Sequence, residues 1–277
     1  MTTHQHKCEQ FKRMHSQDNI LLLPNAWDAG TAVLMEQLGF PAIGTTSAGI
    51  AFANGYPDNE AMEREVMLEA VARIIERVNI PVSVDLESGY GISAAEVGDT
   101  VSKIIVAGGS GANIEDYKGK LLPIGEASER ILAAKQAISN TGLSFVLNAR
   151  TDCFLRLKSI SVEECLKQTI QRAHAYLEAG ADCIFVPGVT DHTIIAKLVK
   201  EINAPLNILG AYSGSSAGSL SDLQALGVKR VSIGGSLALL AFAEIKRTLE
   251  TMKAEGTFEY ASKAMTNAEM NNIMDKN

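Results

Sequence analysis

One pattern repeats through almost the whole chain: a short β-branched run, a polar or glycine-bearing turn, and then a helical stretch. The runs are continuously apolar rather than alternating, which is typical of parallel strands covered on both faces. Eight units in roughly 240 residues, without a linker or low-complexity segment, predict a single (β/α)8 barrel of the α/β class; a doubly wound open sheet is the alternative. The predicted strands are Ile20–Pro24, Ala42–Thr46, Val82–Glu87, Ala112–Asp116, Phe145–Arg150, Cys183–Pro187, Leu206–Leu209 and Arg230–Ile233.

The segments between these strands have the apolar periodicity of amphipathic helices. The predicted helices are Asn59–Val78, Ala127–Ser139, Ser161–Ala179 and Thr193–Ile202. Residues 1–277 are expected to form one domain, with a barrel core over about residues 18–255. The polar tail after Gly256 is expected to be either a terminal helix packed on a neighbouring subunit or a frayed end.

Charge and composition exclude several classes of partner. The chain has 277 residues, a formal net charge of −7 and a pI near 5.3, which argues against nucleic acid or an anionic membrane surface as a partner. No run of 18 apolar residues is present, and the N-terminus lacks the apolar region of a signal peptide. With four widely spaced cysteines, the sequence favours a cytoplasmic protein with reduced thiols.

Acidic residues stand where chemistry is placed in a barrel, at the carboxyl ends of the strands. Asp85 and Glu87 lie two apart on one predicted strand and are expected to share a face. Glu115 on the next strand and Asp58 on the preceding loop bring the number of converging carboxylates to four. Such a cluster is stable around a hard divalent cation, and oxygen-only ligation favours Mg2+ or Mn2+. The alternative is that these acids cap helices or pair with lysines on the rim.

Three further features at the strand ends point to anion binding. The planar fork of Arg150 suits a substrate carboxylate or phosphonate, although an ion pair with Asp152 or a barrel carboxylate is an alternative. The GTTSAG segment offers backbone N–H groups that are suited to an oxyanion. Gly234 and Gly235, after the last strand, are a weaker candidate for a phosphate site at a helix N-terminus.

Five motifs, in order and at strand ends, resemble the phosphoenolpyruvate mutase/isocitrate lyase superfamily over roughly residues 18 to 245. They are PNAWDAGTA, GTTSAGIAFANGYPD, PVSVDLESGYG, GANIEDY and LNARTD. The resemblance implies a (β/α)8 barrel, usually tetrameric, with the last helix swapped between paired subunits. It also implies Mg2+, a 2-oxo acid or its precursor as substrate, and an enolate-like species.

The resemblance also implies roles for individual residues. Asp85 would bind the metal directly, with Glu87, Asp58 and Glu115 acting mostly through water. Thr46, Ser47 and Ala48 would cradle the substrate carboxylate or the enolate oxygen. Arg150 would bind the carboxylate or stabilise the enolate. The full set of expected site residues is Asp85, Glu87 and Glu115 for the metal, Arg150, Glu115, Lys118 and Lys120 for catalysis, and Thr46, Ser47, Ala48, Asp58, Asn148 and Arg150 for the substrate.

Departures from the family pattern narrow the expected reaction. The isocitrate and methylisocitrate lyases carry a K-[KR]-C-G-H loop after the fourth strand, whereas this chain has DYKGKLLPIGEASER, without Cys or His. Lys118 and Lys120 are the residues here that could replace the gating lysine of the phosphonate branches. Oxaloacetate-type decarboxylation is therefore the expected activity, on a small 2-oxo acid or related diacid, in a homo-oligomer (tetramer or dimer). The alternatives are a C–P bond enzyme (a phosphonopyruvate hydrolase or mutase), a non-catalytic 2-oxo acid binder and an unrelated phosphate-binding barrel.

Overall fold

The computed structural model describes residues 3–212 and 214–275. The strands are β1 (Leu21–Leu23), β2 (Asn25–Ala26), β3 (Ile43–Thr45), β4 (Val82–Asp85), β5 (Gly111–Glu115), β6 (Val146–Arg150), β7 (Cys183–Val186), β8 (Leu206–Leu209), β9 (Ala211–Tyr212), β10 (Ser215–Ser216) and β11 (Arg230–Ser232). The helices are α1 (Thr3–Met14), α2 (Ala29–Gln37), α3 (Ser47–Ala53), α4 (Arg64–Arg77), α5 (Ala94–Val106), α6 (Ile124–Ser139), α7 (Cys153–Arg156), α8 (Val162–Glu178), α9 (His192–Ile202), α10 (Leu220–Ala225), α11 (Ser236–Glu255) and α12 (Asn267–Met274), with a 3-10 helix at Glu259–Lys263.

The main sheet is a parallel barrel. Its nine strands follow the order β1-β11-β8-β7-β6-β5-β4-β3-β2. Because β1 and β2 are consecutive pieces of one strand separated at Pro24, which has no N–H to donate to the sheet, the two ends of this order meet and the ring closes. The predicted (β/α)8 barrel is therefore confirmed, and the open-sheet alternative is wrong.

The predicted helix Asn59–Val78 is wrong at its start. The helix begins at Arg64. Asn59 and Glu60 have φ values of 72° and 53°, in the left-handed region that a right-handed helix cannot contain. Residues 59–63 instead form a loop at the carboxyl end of the barrel.

Helix α1 precedes the core boundary predicted at residue 18 and closes the amino end of the barrel. Cys8, Phe11 and Met14 are buried on its inner face. The Phe11 ring lies so close to Gly111 on β5 that a Cβ there would come within 2.7 Å of it. The bottom of the barrel is therefore sealed by an aromatic side chain from outside the strand–helix repeat.

The C-terminal region folds back on its own chain. Helix α12 packs against α2, and the Arg77 side chain donates a hydrogen bond of 3.3 Å to the carbonyl of Met274. The tail is therefore not frayed over Asn267–Met274, whereas its packing on a neighbouring subunit stays a prediction. Helix α11 differs, because only Ala238 of its 20 residues is buried. None of the described helices is long and apolar enough to cross a bilayer.

Candidate active site

A cavity of about 680 Å³ opens at the carboxyl ends of the barrel strands, where barrel enzymes place their chemistry. One side of it is polar and the other is apolar. The polar side contains Asn25, Asp58, Asp85, Asn113, Arg150 and Ser232. The apolar side contains Phe52, Leu155, Phe185, Pro187, Leu209, Leu239 and Leu240.

Asp85 ends β4 and is held rigidly on the polar side. Its Oδ2 accepts hydrogen bonds from the backbone N–H of Ser47 at 3.0 Å and from the Ser47 hydroxyl at 2.8 Å. Its Oδ1 accepts one from the side-chain amide of Asn113 at 2.8 Å. Three donors from two other elements therefore fix the direction in which this carboxylate faces the cavity.

Glu87 does not share a face with Asp85, contrary to the prediction. The strand ends at Asp85, so Glu87 no longer follows the alternation of its side chains. Its φ of 48° directs the Glu87 side chain to a different face. It borders a separate small cavity of about 40 Å³, together with Glu115 and Lys118. Burial, followed by the charges of Asp85 and Asp58, raises the pKa of Glu87 to about 7.

Glu87 is held by two donors from the surrounding loops. Its Oε1 accepts a hydrogen bond from the Tyr90 hydroxyl and its Oε2 one from the Glu60 backbone N–H, both at 2.7 Å. Four of the five described non-glycine residues with positive φ lie here: Asn59, Glu60, Glu87 and Tyr90. Strained backbone of this kind concentrates at functional sites.

The two predicted catalytic lysines lie outside the main cavity. Lys118 forms an ion pair with Glu60 and lies 3.4 Å from the Ser88 hydroxyl. Glu60 also accepts hydrogen bonds from the backbone N–H groups of Ser88 and Tyr90, so it joins three loops. Lys120 is exposed, and it lines neither cavity.

Arg150 ends β6 and faces the main cavity between two acids. Its Nη1 lies 2.7 Å from Oε2 of Glu115, while its Nε and Nη2 donate to the two oxygens of Asp152 at 2.6 and 3.1 Å. The ion pair with Asp152 that was the alternative for Arg150 is therefore confirmed. Although burial opposes it, the charges of Asp152 and Glu115 raise the pKa of Arg150. A guanidinium has five N–H groups and three are used here, so two are left for a ligand.

A buried network behind Arg150 was not predicted. Asp152 is fully buried, and its backbone N–H donates to Asp116 at 2.8 Å. Asp116 in turn accepts hydrogen bonds from Arg172 at 3.0 Å and from the Tyr176 hydroxyl at 2.7 Å. Arg172 and Tyr176 come from α8, so this helix helps to position Arg150 through Asp116 and Asp152.

The GTTSAG segment is not an open loop, because it contains the end of β3, the N-cap Thr46 and the start of α3. The Thr46 hydroxyl caps the helix by accepting from the Gly49 N–H at 3.3 Å, and the Ser47 N–H is used by Asp85. The Ala48 N–H has no acceptor among the described residues and lies at the cavity wall. Of the three, Ala48 is therefore the one whose amide is available to a ligand.

Two other candidates occupy different positions from those expected. Asn148 is fully buried below the cavity and does not line it. The N–H groups of Ile233 and Gly234 both donate to Oδ1 of Asn25, at 2.9 and 3.0 Å, so these amides are not available to a phosphate. Asn25 instead connects the first strand of the barrel to the last.

The carboxylates do not form a set of direct ligands. Within the described parts of the chain, no three His, Cys, Asp or Glu side chains are arranged to bind one ion together. Asp58 and Asp85 face the main cavity, whereas Glu87 and Glu115 face the small one. The assignment of Asp85, Glu87 and Glu115 to a metal thus stays a prediction, in which only Asp85 is placed for direct contact.

Comparison with known proteins identifies the family of the chain. A family model described as phosphoenolpyruvate phosphomutase matches residues 11–253. The chain belongs to the phosphoenolpyruvate mutase/isocitrate lyase superfamily. The membership predicted from the five motifs is thereby confirmed, and the protein is an enzyme of this superfamily.

Named relatives within the superfamily include lyases. The chain is 30% identical to the oxaloacetate decarboxylase of Rhodopseudomonas palustris (strain TIE-1), over 91% of this chain and 85% of the relative. It is also 30% identical to the 2-methylisocitrate lyase of Escherichia coli (strain K12), over 71% of this chain and 67% of the relative. A crystal structure from Burkholderia cenocepacia J2315, named for a lyase/mutase, superposes with a TM-score of 0.91 at 37% identity and covers 98% of this chain and 96% of that one.

Several residues at or near this superfamily site were missed from the sequence. Glu60 and Tyr90 hold the loops around Glu87, and Phe185 borders the cavity with its ring 5.6 Å from the Arg150 guanidinium. Glu60 stands two residues after Asp58 in PDNE, and Tyr90 lies within GYG, so both were within recognised motifs. Arg230 also borders the cavity, and its one signal was a charged residue at the start of a predicted buried strand.

Proposed function

We propose that the protein is a Mg2+-dependent carbon–carbon lyase that acts on a small 2-oxo or 2-hydroxy acid through an enolate-like intermediate, with oxaloacetate-type decarboxylation as the reaction. The observation that carries this proposal is the placement of Asp85 and Arg150 in one cavity at the carboxyl ends of β4 and β6. A carboxylate that holds a cation, together with a rigidly held guanidinium in the same cavity, would bind the two ends of a polarised 2-oxo acid. Relatives named oxaloacetate decarboxylase and 2-methylisocitrate lyase support the choice of reaction class.

The residues at this site fit a hard divalent cation. All candidate ligands are carboxylate oxygens, which Mg2+ prefers to nitrogen or sulfur. Burial, with the Asp85 charge adding to it, raises the pKa of Asp58 and that of Glu87, and a divalent cation beside these acids would favour their ionised form. Asp85 would hold the cation directly, with Asp58, Glu87 and Glu115 acting through water. When bound, such a cation polarises the carbonyl of a 2-oxo acid.

The chain's own residues supply binding and orientation. Arg150 has two unused N–H groups for a substrate carboxylate, and Asp152 and Glu115 fix its plane. The Ala48 amide is positioned to donate to an oxygen that gains charge in the transition state. The apolar side of the cavity, with Phe52 and Phe185, limits the access of water to the reacting carbons.

The composition of the cavity wall favours decarboxylation over reactions that need a protein proton donor. The described residues that line it include no Cys, His or Lys, and Tyr212, the tyrosine among them, is exposed. Decarboxylation needs only polarisation, an oxygen cradle and a proton that water can supply. The C–P bond alternative requires a lysine near the substrate, and Lys118 is instead paired with Glu60 beside the small cavity.

The test is a panel of substrates with a matched variant. Oxaloacetate, phosphonopyruvate, 2-methylisocitrate, isocitrate and 2,3-dimethylmalate are each supplied with Mg2+ and then with a chelator, and release of pyruvate or glyoxylate is measured. Asp85→Ala is the essential comparison, because free Mg2+ alone decarboxylates oxaloacetate. Asp99→Ala, which changes an exposed acid on α5, is the control for a lost surface carboxylate.

We expect oxaloacetate turnover that requires Mg2+, falls at least about 100-fold in Asp85→Ala and is unchanged in Asp99→Ala. Turnover of phosphonopyruvate alone would replace the proposal with the C–P bond alternative. Tight binding of oxalate without turnover of any substrate would indicate the non-catalytic binder.

We propose further that the enzyme is a homo-oligomer, a tetramer or dimer, in which α11 contacts a second copy. This helix exposes a row of large apolar side chains: Leu237, Leu239, Leu240, Phe242, Ile245 and Leu249. Exposed apolar patches of this size mark interaction surfaces. Light scattering should show that Ile245→Lys lowers the molar mass while Lys246→Ala does not; a wild-type monomer would refute this assembly.

With its four cysteines free, the cytoplasm remains the expected compartment.

A further inference from the structure

The interior of the barrel below the main cavity is polar, whereas barrels of this type usually fill it with bulky branched side chains. Every second side chain of a barrel strand points into the barrel. The residue two positions before a cavity-lining residue in the chain therefore also faces the interior. By this alternation Ser83, Asn148, Asn207 and Arg230 all face inward. None of them is more than 2% exposed.

Arg230 lacks the partners that the other buried arginines have. Arg130 donates to three backbone carbonyls, and Arg172 pairs with Asp116. Arg230 makes one hydrogen bond, from Nη2 to the Ser83 hydroxyl at 3.2 Å, while its Nε and Nη1 have no partner. No carboxylate of the described residues forms a salt bridge with it. A buried cation with one neutral hydrogen-bond partner is costly, so its remaining free donors point to a ligand.

The side chains around Arg230 add further unused donors. Asn207 is its lateral neighbour in the sheet, and the Nδ2 of Asn207 has no partner. Both amide atoms of Asn148 are also unpartnered. The interior therefore has four unpartnered donor atoms against two acceptors, Oδ1 of Asn148 and Nε2 of His15, together with a positive charge. Water would satisfy donors and acceptors equally, whereas an excess of donors around a cation fits an anion.

The site opens in one direction. Below the guanidinium lies the ring of Phe11, with its centroid 5.8 Å from Cζ, and α1 closes the barrel there. Above it, Arg230 borders the main cavity with Asp85, Asn113 and Ser232. Burial lowers the pKa of Arg230 to about 10, which still leaves it charged at neutral pH. A ligand must therefore enter through the cavity and be small enough to pass these side chains.

We propose that the floor of the main cavity, where Arg230 borders it, is a binding site for a small monovalent anion, held by the Arg230 guanidinium and the neighbouring side-chain amide of Asn207. Two sources have this chemistry: a halide ion from solution, and the carboxylate end of a small acid that enters the cavity. The inference does not depend on the proposed reaction, because it requires only the unpartnered donors and the opening to the cavity.

The experiment measures the thermal midpoint Tm of the full chain during a sodium bromide titration, and Arg230→Met titrated in parallel corrects for the general effect of ionic strength. We expect wild-type Tm to rise saturably, by about 2–4 °C at ten times the half-saturating concentration. Arg230→Met should lose this response. Arg172→Met, which removes a buried guanidinium outside the cavity, should keep it despite lower stability.

Two further measurements distinguish a halide from a carboxylate as the ligand and provide a result that does not depend on a variant. Acetate replaces bromide in one arm: a saturable rise that competes with bromide shows that the floor accepts carboxylates, and a rise with bromide alone shows a halide site. Wild-type crystals soaked in bromide should give an anomalous peak in contact with Arg230, a result that does not depend on any variant folding. No saturable shift with either anion, together with no peak at Arg230, would overturn the proposal in favour of ordered water.

Discussion

The raised pKa of Glu87 has a measurable consequence for stability. In the folded chain its pKa is about 7 against a usual value of 4.5, because the carboxyl is buried beside Asp85 and Asp58. The folded state therefore binds a proton more tightly than the unfolded state. The stability that this protonation provides is fully present below pH 4.5 and is lost as the pH rises through 7. A difference of about 2.5 units at 1.36 kcal/mol each gives about 3 kcal/mol.

Glu87→Gln removes this titration while keeping the size of the side chain and an acceptor for Tyr90. In the presence of a chelator, urea unfolding at pH 5 and pH 8.5 should show that the wild type loses about 2.5 kcal/mol more than Glu87→Gln does. Glu129→Gln, at an exposed position on α6, should follow the wild type. Parallel pH profiles for wild type and Glu87→Gln would refute the reasoning, because they would mean that ionisation of Glu87 does not destabilise the folded protein.

Three substitutions test other parts of the fold by urea unfolding. Phe11→Ala should cost about 3–5 kcal/mol by leaving a cavity under the barrel; a loss below 1 kcal/mol would show that α1 does not seal it. Asn25→Ala should cost about 2–4 kcal/mol, since the Thr45 carbonyl on β3 and the N–H groups of Ile233 and Gly234 after β11 lose a partner, whereas Asn25→Asp should recover the part due to its Oδ1. Tyr176→Phe should cost about 2 kcal/mol through the lost hydrogen bond to buried Asp116, and an unchanged stability would mean that this bond is exchanged for water at no cost.

The parts of the site that could be predicted are those that depend on chain order. Strands β3 to β8 and β11 begin and end within one or two residues of the predicted limits, because a buried parallel strand and its terminating turn are encoded by neighbouring residues. Asp85 and Arg150 could be placed at one cavity for the same reason, since the carboxyl ends of all barrel strands meet at one rim.

The parts that could not be predicted depend on backbone turns and long-range pairs. Alternation along a strand predicted that Glu87 lies beside Asp85. The positive φ of Glu87 itself instead directs its side chain to the small cavity. Lys118 was predicted to reach the substrate, but in the structure it pairs with Glu60, 58 residues earlier in the chain.

The sequence by itself determined the barrel, the end of it that carries the chemistry and the superfamily, because each follows from local periodicity and short motifs. The tertiary structure alone decided how the acids divide between two cavities and how Asp116, Arg172 and Tyr176 support Arg150. It also revealed the unpartnered guanidinium of Arg230 inside the barrel. The physical reason is that burial and hydrogen bonding are set by residues distant in the chain, whose contacts exist only once the ring of strands has closed.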